Sequence, residues 1–185
     1  MDRQRALKEL KLRVTSPVVI RHSLAVEAIM RAFAKHFKDD EEKWGLTGLL
    51  HDIDSERCED VSKRHGAISE EILEGLGADD FIIYAIKAHN NNNSLERKRK
   101  LDKVLYSADA MATLALVCAD ELYSGKVEKL TKEVILDKIN DQSFCKHENR
   151  DHIRVSKNVD VNLDDFVDIS VQAIKSFARE INREK

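Results

Sequence analysis

Residues 49–57 read LLHDIDSER, an apolar segment that ends in a histidine and an aspartate side by side. Neighbouring side chains point in different directions, and a carboxylate taken out of water without a partner is costly. Ordinary packing therefore has no need of both His51 and Asp52 at this place. A shared partner accounts for the pair, and a metal ion is one candidate.

The chain on either side of this stretch divides into helices. Asp39 and Asp40 are placed to cap a helix that carries Trp44, Leu46, Leu49 and Leu50 and delivers His51 and Asp52 in its last turn. Before it, Ser16 and Pro17 form an N-cap and first-turn pair. His22, Val26, Ile29, Phe33 and Phe37 then follow helical spacing, which predicts a helix over about 17–37. After the loop DSERCEDV, Ser62 is expected to cap a helix bearing His65, Ile68, Ile72 and Leu76, closed by Gly77. Asp79 or Asp80 opens the next, with Ile82, Ile86 and His89 on one side. The tract NNNNS (90–94) reads as a loop, followed by a long helix over about 95–123 on which Leu101, Leu105, Asp109, Ala112 and Leu116 share a face. Beyond Gly125 the periodicity weakens to a short helix near 131–139 and an amphipathic one over about 163–181.

Composition agrees with this division. In 185 residues, one proline and six glycines leave little material for the turns of an all-β protein, so the expected fold is all-α. A hydrophobic fraction of 42% beside 35% charged residues suits a single domain over 1–185 with a real core. The start MDRQRALKELKLRV lacks the apolar centre of a signal peptide, and no run approaches a membrane span; a cytoplasmic protein with no membrane partner is the expectation. Cys58, Cys118 and Cys145 show no CxxC spacing, which argues against a disulfide framework and a thiolate zinc site. A net charge of −3 gives no global bias toward nucleic acid.

His22, His65, His89 and Asp109 are lone polar residues within apolar stripes. Singly, such a histidine is more often a hydrogen-bonded core residue than a ligand. Asp109 is harder to place in a core, because no Lys or Arg shares its helical face in the adjacent turns. Together with His51 and Asp52 they make a set of imidazoles and carboxylates, drawn from separate helices, that suits iron, manganese, cobalt or zinc. Six candidate ligands point to two metals sharing one bridging carboxylate.

The motifs RHSLAVE (His22), LLHDID (His51, Asp52), KRHGAISEEIL (His65), AIKAHN (His89) and YSADAMATL (Asp109) together resemble the HD superfamily of metal-dependent phosphohydrolases, in particular its small stand-alone HDIG-type proteins. The likeness covers about 17–115, and the remainder, about 126–185, is expected to be a helical extension. The resemblance implies a helical bundle in which His22, His51, Asp52 and Asp109 hold one metal while His65 and His89 complete a second, with Asp52 between them. It implies divalent transition metals, two per chain, among iron, manganese, cobalt, nickel and zinc, with magnesium as a further candidate. The implied activity is a phosphomonoesterase or phosphodiesterase that cleaves a small phosphate ester or nucleotide with a metal-activated hydroxide. Two departures stand out. Where relatives read HDIGK this chain reads HDIDS, so no catalytic lysine carries over, and His89 is followed by Asn90 rather than a second histidine.

Leaving-group assistance must then come from another cation. Lys87, Arg57 and Arg150 are the candidates, each weighed against an ordinary solvated surface role. Asp54 reads either as a partner of a ligand histidine or proton carrier, or as an Asx-turn residue. The basic run ERKRKLDK (96–103) reads as a solvated helix face, since no aromatic residue interleaves with it, and nucleic acid is not an expected partner. His147 and His152, in KHENRDHIR, lie in a polar stretch able to fold over the pocket, and His36 reads as a surface residue; none joins the ligand set. Two rival readings remain: a di-iron oxygenase on the same fold, separable by oxygen dependence, and a non-catalytic ligand-sensing module, separable by failure to bind metal.

Overall fold

A computed structural model describes residues 1–57, 65–141, 143–145, 150–154 and 158–184. Among them the regular elements are helices: α1 (Arg3–Arg13), α2 (Pro17–Phe37), α3 (Glu41–Leu50), α4 (Ala67–Gly75), α5 (Asp80–His89), α6 (Lys100–Tyr123), α7 (Lys132–Asn140), α8 (Arg150–Arg154), α9 (Leu163–Ser176) and α10 (Ala178–Ile181). No helix among the described residues is long and apolar enough to cross a membrane.

The helix α1 is absent from the sequence reading, because its apolar residues are sparse; it buries Ala6 and Leu10. Arg3 holds it to α2 through a fully buried carboxylate. Its Nε and Nη2 donate to Glu27 at 2.6 and 3.0 Å, and Arg31 Nε reaches the same carboxylate at 2.8 Å. Ser16 stands at the N-cap of α2 without a side-chain cap bond. Glu56, from the quoted stretch, holds the residues leading into it: its carboxylate accepts from Thr15 N at 2.9 Å and Ser16 N at 2.6 Å. The post-HD loop is thereby tied to the start of the helix that carries His22.

The pair α2 and α3 forms the centre of the packing. Gly48 makes their approach possible, since a Cβ there would meet the Glu27 backbone at 2.9 Å. Gly48→Ala is expected to force the helices apart and lower stability by about 1–3 kcal/mol, roughly 3–10 °C in melting temperature for a chain of this size. A thermal melt unchanged within a degree would overturn that account of the contact. On the other side of α2, Phe33 stacks on Phe166 of α9 with ring centroids 4.8 Å apart, and Trp44 of α3 is fully buried beside Phe37.

Three boundaries differ from expectation for identifiable reasons. The long helix begins at Lys100, because Asp102 turns its carboxylate back to accept from Lys98 N at 3.1 Å and Arg99 N at 3.0 Å, ending the 95–99 segment as a cap. His65 lies before α4, which starts beyond Gly66 at φ +91°; Ser62, its expected cap, falls outside the described residues. The last amphipathic segment is broken at Phe177 into α9 and α10. Asp79, rather than Asp80, caps α5, accepting from Phe81 N at 2.8 Å.

Candidate metal centre

The residues HDIDSER leave α3 as overlapping tight turns: Ile53 N bonds Leu50 O at 3.1 Å, Ser55 N bonds Asp52 O at 3.0 Å and Arg57 N bonds Asp54 O at 2.9 Å. Successive residues consequently project in different directions. His51 and Asp52 face a common centre, while Asp54 is fully buried behind it.

All six expected ligands converge there, from α2, α3 and its trailing turn, the turn before α4, α5 and α6. Asp52 divides them into two groups. Its Oδ2 lies 3.4 Å from His51 Nε2 and 3.9 Å from His22 Nε2, and Asp109 Oδ1 joins this group at 3.1 Å from His22 Nε2. Its Oδ1 faces the other way, 3.2 Å from His65 Nε2 and 3.9 Å from His89 Nε2. Each oxygen of one carboxylate thus serves a different pair of imidazoles. The ligand atoms of His22, His51 and Asp109, and those of His51, Asp52 and His89, lie within 4.8 Å of one another and could hold a metal ion.

The outer ring nitrogens fix which way the lone pairs point. His51 Nδ1 lies 2.8 Å from Gly48 O, His89 Nδ1 bonds Ile86 O, and His65 Nδ1 lies 2.7 Å from Asp54 Oδ1. A carbonyl or carboxylate oxygen accepts, so Nδ1 carries the proton in each ring and Nε2 turns a lone pair inward. The inward nitrogens meet closely: His22 and His51 at 3.2 Å, His65 and His89 at 3.0 Å. Between His65 and His89 both inward nitrogens present lone pairs, and these need a cation between them. A divalent metal satisfies that need for imidazoles so oriented.

Without a metal, protons perform the same task. Against the cost of burial, Asp52 and then Asp109 push His51 up to about 9, and the Asp52 and Asp54 hydrogen bonds push His65 up to about 10. Burial, with the charge of His51, pushes His89 down to about 4. Against the desolvation of their partly covered positions, Asp52 is held below the usual carboxylate range by His51 and His65, and Asp109 by His22 and His51.

Asp54 orients the second group. Beside His65, it accepts from Gly66 N at 2.8 Å and Ser69 N at 3.0 Å, capping the start of α4. Burial works to raise its carboxyl, yet the His65 bond and these donors hold it lowered.

Asp52 and Asp109 are not sealed in the core as the apolar stripe suggested; their side chains are 21% and 35% exposed. Two cavities meet at them. One, of about 310 Å³, runs past His22 to Val18, Val19, Leu116 and Val117. The other, of about 400 Å³, runs past His65 and His89 to the asparagines 90–92, Tyr106 and His152.

The proposed leaving-group cations are placed elsewhere. Lys87 Nζ donates to Glu70 at 2.6 Å, Arg57 is exposed, and neither borders these cavities. Arg150 is buried and donates to the main-chain carbonyls of Lys138, Asp141, Phe144 and Cys145, which ties down the C-terminal segment. The basic run is less solvated than expected. Its cations lie over rings from other segments: Arg97 over Tyr106 at 3.6 Å, Arg99 over Phe81 and Tyr84 at 4.8 Å, and Lys100 over Phe37 at 4.5 Å. No local interleaving could reveal these partners. Tyr106 escapes sequence reading for the same reason, whereas His152, from the polar stretch expected to fold over the pocket, does border the cavity; His147 lies outside the described residues.

An all-helical fold with a carboxylate set between two imidazole groups that could hold metal is the arrangement expected of an HD-type protein. The chain belongs to the HD-domain family, whose model matches residues 19–114. Among curated proteins it is similar to ribonuclease Y of Oleidesulfovibrio alaskensis, with 30% identity over 125 residues, 67% of this chain and 24% of that protein. It is similar also to ribonuclease Y of Desulfotalea psychrophila, 29% identical over 136 residues, 72% of this chain and 26% of the relative. Ribonuclease Y 2 of Levilactobacillus brevis is 28% identical over 144 residues, 77% and 26% of the two chains. The chain spans about a quarter of the length of these curated relatives. No solved structure matches it.

Proposed function

We propose that this protein is a metal-dependent phosphohydrolase that takes two divalent ions, one at His22, His51, Asp52 and Asp109 and one at Asp52, His65 and His89, and cleaves a small phosphate ester or nucleotide. The observation that carries this reading is the division of Asp52, one oxygen toward each imidazole pair. Bound there, the ions would supply a nucleophile from water near neutral pH and hold the phosphoryl oxygens.

The chain's own residues do the rest. Gly48 O, Ile86 O and Asp54 keep His51, His89 and His65 in the tautomer that ligates. The partial exposure of Asp52 and Asp109 leaves the centre open to both cavities, so a phosphoryl group can reach it with its substituents accommodated on either side.

A second reading is favoured by the names of the relatives: the phosphate ester is an RNA phosphodiester. Manganese- or cobalt-loaded protein should be offered p-nitrophenyl phosphate, its bis-ester, nucleoside monophosphates, cyclic nucleotides and a short RNA. Turnover of the small esters, abolished by chelation, is the expected result. Turnover of RNA alone would transfer the reading to the second form. Oxygen uptake by iron-loaded protein with no hydrolysis would replace both.

A further inference from the structure

The family match ends at residue 114, yet the larger cavity over the centre is completed by a residue well beyond it. His152 belongs to the short helix α8, which packs against α6. Its carbonyl accepts from Ser107 Oγ at 2.9 Å, two residues before the candidate ligand Asp109. The imidazole lies against Tyr106 with ring centroids 4.3 Å apart, and the Arg97 guanidinium packs on the same Tyr106 ring at 3.6 Å. Arg97 in turn donates to Asn91, and Asn91 Nδ2 donates to Tyr106 Oη at 2.9 Å. The ring pair is therefore braced from the asparagine loop, while the half-buried His152 remains on the cavity side.

We propose that His152, supported by Tyr106, is the wall against which the nucleoside part of the substrate docks, on the His65 and His89 side of the centre. The inference rests on the phosphohydrolase reading and gives it a substrate class. An imidazole face beside carboxamides suits a flat ring bearing donors and acceptors, because such a ring stacks and hydrogen-bonds without needing a charge. Burial pushes His152 below its ordinary value against the pull of Asp109, and Arg97 adds to the lowering. The shift disfavours the charged form, and with it pairing to a further phosphate. The volume, about 400 Å³, falls within the range of small-ligand pockets.

The test compares adenosine 5′-monophosphate with glycerol phosphate on metal-loaded wild type, His152→Ala and His152→Phe. The Ser107 bond is to the main chain, so α8 keeps its anchor in both variants. Expected for His152→Ala is a KM for the nucleotide raised about tenfold, with kcat, metal content and the glycerol phosphate constants unchanged. His152→Phe, which keeps a ring, should restore the KM to within about threefold of wild type. Equal losses on both substrates, an unchanged nucleotide KM, or a fall in metal content would overturn the proposal. Calorimetric binding of the nucleotide separates the two claims. Wild type that turns over neither ester yet binds the nucleotide in a His152-dependent way removes the hydrolase and keeps the wall. Binding indifferent to His152 removes the wall.

Discussion

Asp52→Ala is expected to take metal content from about two ions per chain to fewer than one and to lower turnover of a phosphate ester at least about 1,000-fold, ~4 kcal/mol of barrier. The reason is the division of its carboxylate: Oδ2 faces His22 and His51, and Oδ1 faces His65 and His89, so one substitution removes an anionic ligand from both groups. Asp109→Ala touches only the His22 and His51 group, and should leave the other ion in place. Elemental analysis of anaerobically purified wild type and both variants checks the difference. Equal metal loss in the two, or two ions retained without Asp52, would sink the bridged arrangement. A single ion in wild type would leave His65 and His89 as substrate contacts.

Much of this arrangement was legible because helix physics leaves marks in sequence. The stripe through His22 and Phe37 and the Asp79 and Asp40 caps follow from local rules, and the structure has helices at all of them. The convergence of His22, His51, Asp52, His65, His89 and Asp109 was legible from chemistry: polar ligands recurring on separate apolar faces need one another.

What stayed hidden depends on contacts between distant segments. Glu56 holding Thr15 and Ser16 from the post-HD loop and Arg97 lying on Tyr106 leave no period to read. The solvent access of Asp109 is of the same kind, since a cavity between helices is a property of their packing and not of either helix. Arg150 shows the reverse error. A cation in a polar tail looked available, yet it is spent on carbonyls that have lost regular partners where α7 ends.

Asp54, the first departure from the HDIGK pattern that the resemblance implies, gives the second large effect. Alanine there leaves Gly66 N, Ser69 N and His65 Nδ1 without their acceptor, a loss of about 2–4 kcal/mol in stability together with His65 orientation. Asparagine separates the two consequences. Its single amide oxygen can still accept from Gly66 N and Ser69 N, so the start of α4 stays capped and the melting temperature should fall by only a few degrees, ~1 kcal/mol. Its amino group then faces His65 Nδ1, donor against donor, and the ring escapes the clash by moving its proton to Nε2. That proton points at Asp52 Oδ1 and His89, where the second ion would bind. Asp54→Asn should therefore weaken the His65 site about 10–100-fold in metal affinity, the scale seen when a ligand's outer hydrogen bond is removed, while the His22 site keeps its ion. Titration of metal-free protein with cobalt should give two binding steps in wild type and one strong step in the variant. Two undiminished steps would show that Asp54 serves the fold alone, and that the HDIDS departure does not tune the centre.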